Sequence, residues 1–140
     1  EWIPNNLLPF IMKVANGELE ELKVFWNDYD TIDGTWVRDY IDVNDLVEGH
    51  LLAYNKLEKQ DNSFCDVYNL WVWKWISVIE MINQSRTITG QKIPYNIADR
   101  RAGDIWEVYC NPNKAEKELG FKVKVDLKES LESSWKFYNK

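Results

Sequence analysis

"NDYDTIDGTWVRDYIDVNDLVEGH", residues 27–50, changes character twice along its length. Its polar start, residues 27–35, reads as a loop, with Asp33-Gly34 as a turn. Residues 36–43, "WVRDYIDV", read as extended chain. From residue 44 onward, "NDLVEGHLLAYNKLEKQ" has helical spacing, with Asn44 or Asp45 as cap. Leu46, Gly49, Leu52, Ala53 and Leu57 then fall along one stripe. A loop, a strand and a helix in succession point to a mixed fold.

The flanking sequence repeats that alternation. Residues 3–17 read as a helix that Asn5 or Asn6 can cap, with Leu7, Leu8, Ile11 and Val14 recurring and Gly17 at its end. "ELKVFW" (21–26) and "FCDVYNL" (64–70) read as strands, and "KIPYNIAD" (92–99) as one that Pro94 confines to an edge. "SVIEMINQSRTITG" opens with a capping box, Ser77 with Glu80, and closes at Gly90. "NPNKAEKELG" has Asn111 as cap, Pro112 at the first helical position and Gly120 as terminator. A second box, Asp126 with Glu129, opens the last helix. Helices alternating with short strands place the chain in the α/β class, with an α+β-like arrangement as the variant.

At 140 residues the chain suffices for one domain with a real core. Its apolar share of 45% and charged share of 29% are those of an ordinary globular protein. With a net charge of −6 and no run of more than two adjacent basic residues, a general electrostatic grip on nucleic acid or anionic lipid is not expected. Cys65 and Cys110 lack metal-ligand spacing and read as buried reduced thiols. No apolar run has membrane-spanning length, and the expected compartment is the cytoplasm.

"NLWVWKWISV" (69–78) is the conflict in this pattern. By composition it resembles a strand with a tryptophan face, yet the capping box at Ser77 requires a helix to start there, leaving a loop before it. Read as a strand, it would suit a tryptophan-rich carbohydrate-binding module.

The motifs decide between these. Residues 27–50 resemble the UDP-glucose 4-epimerase pattern NDYDTxDGTGVRDYIHVxDLAxGH, of the extended short-chain dehydrogenase/reductase superfamily. "IPNNLLPFIMKVANG" resembles IPNNLxPYIxxVAxG, "VYNL" followed by "SV" resembles VYNLGTGxGxSV, "RRAGDI" resembles RRxGD, and "NPNKAEKELGF" resembles ADPxKAxxELGW. The motifs run in order over essentially the whole chain, which implies one C-terminal substrate-binding region across residues 1–140, without the N-terminal NAD-binding half.

Against this pattern Trp2, Trp26, Trp36, Trp71, Trp73 and Trp75 stand at or among family glycines, and Trp106 at a small-residue position. The tryptophan stripe is then a strand-to-helix loop that has lost its glycines. Left-handed backbone at such positions costs a tryptophan about 1–2 kcal/mol, and six together could exceed a typical domain stability of about 5–15 kcal/mol.

The resemblance also implies a site. Arg38 and Arg101 match the family's diphosphate-contacting arginines, suited to it because a guanidinium pairs bidentately with phosphate. Asp104 matches an aspartate that accepts from a ribose hydroxyl, and Asn6, with Leu7 beside it, an asparagine at a helix N-terminus near phosphate and sugar. Lys23 and Phe25 fall on the strand lining the uracil. Val108 falls where residue size gates the sugar, and a valine implies tolerance of UDP-GlcNAc beside UDP-glucose and UDP-galactose; Trp106 could refill that space. Asp42 replaces a family histidine, and His50 reads as structural.

No GxGxxG occurs, and none of the seven tyrosines has a lysine four residues later. NAD and the YxxxK base of the intact family enzyme therefore have no counterpart in this chain. No catalytic, cofactor or metal residue is expected here, and the chain alone is not expected to turn over. Expected partners are a UDP-sugar and either the missing N-terminal half or a second copy. The alternative is an engineered or altered non-catalytic derivative, a structural or self-associating module without UDP-sugar binding.

Overall fold

The computed structural model describes residues 6–139 except 62, 73, 101, 102 and 104. The elements are α1 (Leu7–Ala15), β1 (Leu22–Phe25), β2 (Val37–Arg38), α2 (Val43–Leu57), β3 (Ile76–Ser77), α3 (Val78–Thr89), β4 (Tyr95–Ala98), α4 (Asn113–Leu119) and α5 (Leu127–Tyr138). They form two compact units, one of Glu1–Arg38, Trp75–Val108 and Lys128–Lys140, the other of Asp39–Lys74 and Tyr109–Leu127. The mixed fold expected from the sequence is present.

The first unit is built on two small sheets. β1 and β4 pair in parallel, Leu22 opposite Tyr95 and Phe25 opposite Ala98. Main-chain bonds from Leu22 to Pro94 (2.9 Å) and from Trp26 to Ala98 (3.0 Å) extend the pair at both ends. Parallel strands need a long crossover, and the chain between them supplies it, including α3. β2 pairs antiparallel with β3, Val37 opposite Ser77. Ile11 and Met12 of α1, Val24 of β1, Met81 and Ile82 of α3, and Leu131 of α5 are buried, the last because its helical spacing turns it from the polar face.

Local chemistry sets the helix ends as the sequence suggests. The Ser77 hydroxyl accepts from the Glu80 N–H at 2.9 Å, capping α3. The reciprocal half of the box is replaced: Glu80 accepts from Gln84 at 2.9 Å. Gly90 and Gly120 end α3 and α4 in the left-handed region, with φ of 67° and 70°. The start of α4 differs from the expectation: Pro112 is its N-cap residue rather than its first helical one and makes no side-chain cap bond, while Asn111 Oδ1, one residue earlier, accepts from Asn113 N at 2.9 Å.

In the second unit, α2 differs from expectation in two respects. Its N-cap is Asp42, whose carboxylate accepts from Asn44 N at 2.8 Å, not Asn44 or Asp45. Asp45 is instead buried and takes the main-chain N–H groups of Lys124 and Val125 at 3.1–3.2 Å. A buried carboxylate needs such donors, and a helix start has no use for a second cap. The inward stripe is Asp45, Gly49 and the half-buried Leu52 and Ala53, while Leu46 and Leu57 are exposed. A Cβ on Gly49 would sit 2.3 Å from the Leu70 side chain, so a larger residue there would displace that side chain.

Residues 64–70 form no strand. Apolar alternation suits a strand only where a partner edge exists, and among the described residues this stretch has none; Val67 is exposed. The loop reading of 69–75 holds: apart from Trp73, which lies outside the described residues, no strand forms before β3. Trp71 is buried and stacked on Tyr109 (6.0 Å), whereas Trp75 is exposed. Two alternate positions with opposite burial do not make a stacking face, which removes the carbohydrate-module reading.

The expected strain is also smaller. Among described non-glycine residues only Trp26 has positive φ, at 68°. Trp36, Trp71, Trp75 and Trp106 keep ordinary backbone; Trp2 and Trp73 lie outside the described residues. The cysteine reading is corrected in part. Both thiols are free, but Cys65 is exposed and Cys110 only half-buried.

Candidate nucleotide-sugar site

The loop of residues 27–35 is closed by Tyr29 N donating to Gly34 O at 3.0 Å. Asp33 Oδ1 accepts from Thr35 N (3.0 Å) and Thr35 Oγ1 (2.6 Å), while its other oxygen takes the Ser77 hydroxyl. Gly34 has φ of 78°, and a Cβ there would lie 2.0 Å from Asn27 O, so only glycine closes the turn. This rigid loop delivers the chain into β2 with Arg38 on it.

Arg38 is the centre of what the structure assembles. Its Nη1 donates to Val37 O at 2.8 Å and its Nη2 to Ile105 O. The guanidinium carbon lies 5.4 Å from the Trp36 ring centroid. Val37 N donates to Trp106 O at 3.0 Å, and Val37 bridges Glu107 in parallel. β2 thus runs beside residues 105–107, which lead to Val108.

Around Arg38 lies an aromatic cluster. Phe25 stacks on Trp36 (6.2 Å, 16°), and Tyr29 is tilted against Trp36 (6.4 Å) and stacked on Trp106 (6.3 Å, 18°). Arg100 covers Tyr29 at 4.6 Å and Trp26 at 5.3 Å, and pairs with Asp28 at 3.6 Å. Among the described residues the Trp26 and Trp36 indole N–H groups and the Tyr29 hydroxyl are buried without a hydrogen-bond partner. Two cations, several π faces and unmatched polar hydrogens share one region of the first unit.

The expected residues divide accordingly. Phe25 and Arg38 meet through Trp36, and Val108 follows the segment that Arg38 touches; it is 45% exposed, so its side chain is accessible. Asn6 is the N-cap residue of α1 but makes no side-chain cap bond, which leaves its amide outside the helix-capping role; Leu7 opens the helix. Lys23 is exposed on β1. Among the described residues Asn6, Leu7 and Lys23 share no hydrogen bond or ring contact with Arg38. Arg101 and Asp104 lie outside the described residues. Asp42, at the family's histidine position, serves as a helix cap. His50 Nδ1 lies 2.7 Å from Leu46 O one turn back, a structural arrangement.

Sequence reasoning missed Tyr29 and Arg100 as members of the cluster, although both sit inside motifs read above, "NDYDT" and "RRAGD". The second unit holds a cavity of about 470 Å³ whose lining includes His50, Tyr68 and Cys110. Burial and the nearby Asp39 push the Cys110 thiol up, so it is not poised as a thiolate nucleophile.

A family model described as GDP-mannose 4,6 dehydratase matches residues 1–134. The chain belongs to this family. Within this family, the chain is 49% identical over 136 residues to UDP-glucose 4-epimerase of Bacillus subtilis, covering 96% of this chain and 39% of that protein. It is 48% identical over 138 residues to the bifunctional UDP-glucose and UDP-xylose 4-epimerase 3 of Arabidopsis thaliana, covering 99% and 39%. Among solved structures, UDP-glucose 4-epimerase of Bifidobacterium longum in complex with NAD+ and UDP is similar at a TM-score of 0.89 and 44% identity, over 99% of this chain and 41% of that one. The Stenotrophomonas maltophila enzyme with bound NAD and formylated UDP-arabinopyranose gives 0.92 and 40%, over 99% and 41%. The chain spans about 39% of the length of the curated relatives it matches. It corresponds to a C-terminal portion of a UDP-glucose 4-epimerase, in the extended short-chain dehydrogenase/reductase superfamily.

Proposed function

We propose that the chain is the nucleotide-sugar-binding portion of a UDP-glucose 4-epimerase, an isomerase that interconverts UDP-glucose and UDP-galactose in galactose metabolism. The observation that carries this reading is Arg38. It is held on β2 against residues 105–107 in a chain whose fold follows the Bifidobacterium longum UDP complex over nearly its full length. Arg38 and Arg101 supply the diphosphate contacts, Asp104 the ribose contact, Lys23 and Phe25 the wall of the uracil pocket, and Asn6 with Leu7 the sugar side. Val108 leaves room for an N-acetyl group, so UDP-GlcNAc belongs to the substrate class.

NAD is held by a segment of the intact enzyme outside this chain. The cofactor supplies hydride transfer when bound; this chain's residues bind and orient the nucleotide. An exposed apolar row on α2, Val43, Val47, Leu51 and Tyr54, supports pairing with such a segment or with a second copy. Among the described residues no helix is long and apolar enough to cross a membrane, and the proposed compartment is the cytoplasm.

The test is a UDP titration by calorimetry on the cooperatively folded chain, with Arg101→Ala alongside. Saturable binding that weakens with salt and is abolished by Arg101→Ala supports the reading. Binding that survives the substitution removes the phosphate site. A folded chain that binds no UDP favours the alternative, a non-catalytic structural or self-associating module.

A further inference from the structure

We propose that the Trp36 indole is an internal occupant of the nucleotide site, which holds Arg38 away from phosphate and so sets the affinity for nucleoside diphosphates. The inference rests on the reading of Arg38 as a diphosphate ligand given above.

The geometry has three parts. Arg38 presents its face to the Trp36 ring at 5.4 Å while both terminal nitrogens donate to main-chain carbonyls, those of Val37 and Ile105. An incoming diphosphate meets a guanidinium whose face is covered by the indole and whose two terminal nitrogens each already donate one hydrogen to a carbonyl. The indole is itself wedged between rings, stacked on Phe25 at 6.2 Å and tilted on Tyr29 at 6.4 Å, so it does not swing aside without unpacking them. Its N–H is buried without an acceptor, so the indole fills this space without satisfying it.

The backbone does not depend on the ring. Trp36 O accepts from Val78 N at 3.0 Å, and Val37 N donates to Trp106 O at 3.0 Å. Neither bond involves the indole, and Trp36 is not among the residues of positive φ. Removing the ring therefore uncovers the face of the Arg38 guanidinium while β2 stays in place.

The experiment titrates uridine diphosphate into the wild-type chain, Trp36→Gly, Trp36→Leu and Trp106→Gly, each first shown to unfold cooperatively. Loss of the cation–π contact together with the wedge predicts that Trp36→Gly binds about tenfold more tightly than wild type. Trp36→Leu keeps apolar volume without a π face and gains about threefold; it carries the test if the glycine variant does not fold. Trp106→Gly removes a ring that rests on Tyr29 and not on Arg38, and gains less than either Trp36 variant. If the wild type binds and neither folded Trp36 variant binds more tightly, the reading of the site stands and the occupant proposal is overturned. An equal gain in Trp106→Gly overturns it too, because general loosening then explains the effect. If no folded chain in the set binds, both the site reading and the proposal fall.

Discussion

Trp26 is the one described tryptophan whose backbone lies where side chains are disfavoured, with φ of 68°. Two substitutions isolate that strain. Trp26→Ala and Trp26→Gly both delete the indole, its contact with Arg100 at 5.3 Å and its unpartnered N–H. What is lost with the ring is common to both and cancels in the difference. They differ in the Cβ, which costs about 1–2 kcal/mol in the left-handed region. Greater freedom of glycine in the unfolded chain offsets about 0.5–1 kcal/mol of this. Trp26→Gly is therefore the more stable of the two by about 1 kcal/mol, despite being the smaller residue. In urea, with an m-value of about 1.5 kcal/mol/M for a chain of this size, its midpoint lies roughly 0.7 M above that of Trp26→Ala. Against wild type the sign for Trp26→Gly is closer. Relief of strain and of the orphan N–H offsets lost burial and the cation–π contact, leaving a change within about 1 kcal/mol. Equal midpoints for the two variants, or a higher one for Trp26→Ala, would refute the assignment of left-handed strain to this residue.

Two further outcomes follow from the second unit. Asp45→Ala orphans the main-chain N–H groups of Lys124 and Val125 around a buried position, and should lower stability by about 2–3 kcal/mol in urea unfolding without changing the helical circular dichroism per folded molecule. The hydrogen bond from Lys114 holds the Asp66 carboxyl below its usual range, and that from Lys56 does the same for Glu118. Their contribution is thus present above the ordinary carboxylate range and is lost as pH falls through the lowered values. The lysines are raised by the same contacts, so their share is present at neutral pH and is lost only above the usual lysine range. Urea midpoints of wild type and a Lys56→Met, Lys114→Met double variant should differ at pH 7 and draw together as pH falls below the ordinary carboxylate range. A pH-independent difference would show that the lysines act through packing.

The ends of helices were legible in the sequence because they are set within a few residues. Gly17, Gly90 and Gly120 all take positive φ, and Ser77 caps α3, as their spacing indicated. The candidate site was legible only as matches to a family pattern: Arg38, Phe25 and Val108 stand in one region, while Asn6, Leu7 and Lys23 lack contact with Arg38 among the described residues.

What the sequence by itself determined is local: the turn at Asp33-Gly34, the alternation of helix and strand, and the order of motifs that marks the family. The fate of 64–70 was decided by tertiary structure, since a strand exists only where a second edge offers its N–H and C=O groups. So was the cap of α2, because Asp45 is drawn inward by the main-chain donors of Lys124 and Val125, distant in sequence. The tryptophans show the same division. Their match to glycines of the family pattern is a reading of the chain alone, but which one is strained and which one rests on Arg38 depends on φ angles and neighbours that only the folded chain brings together.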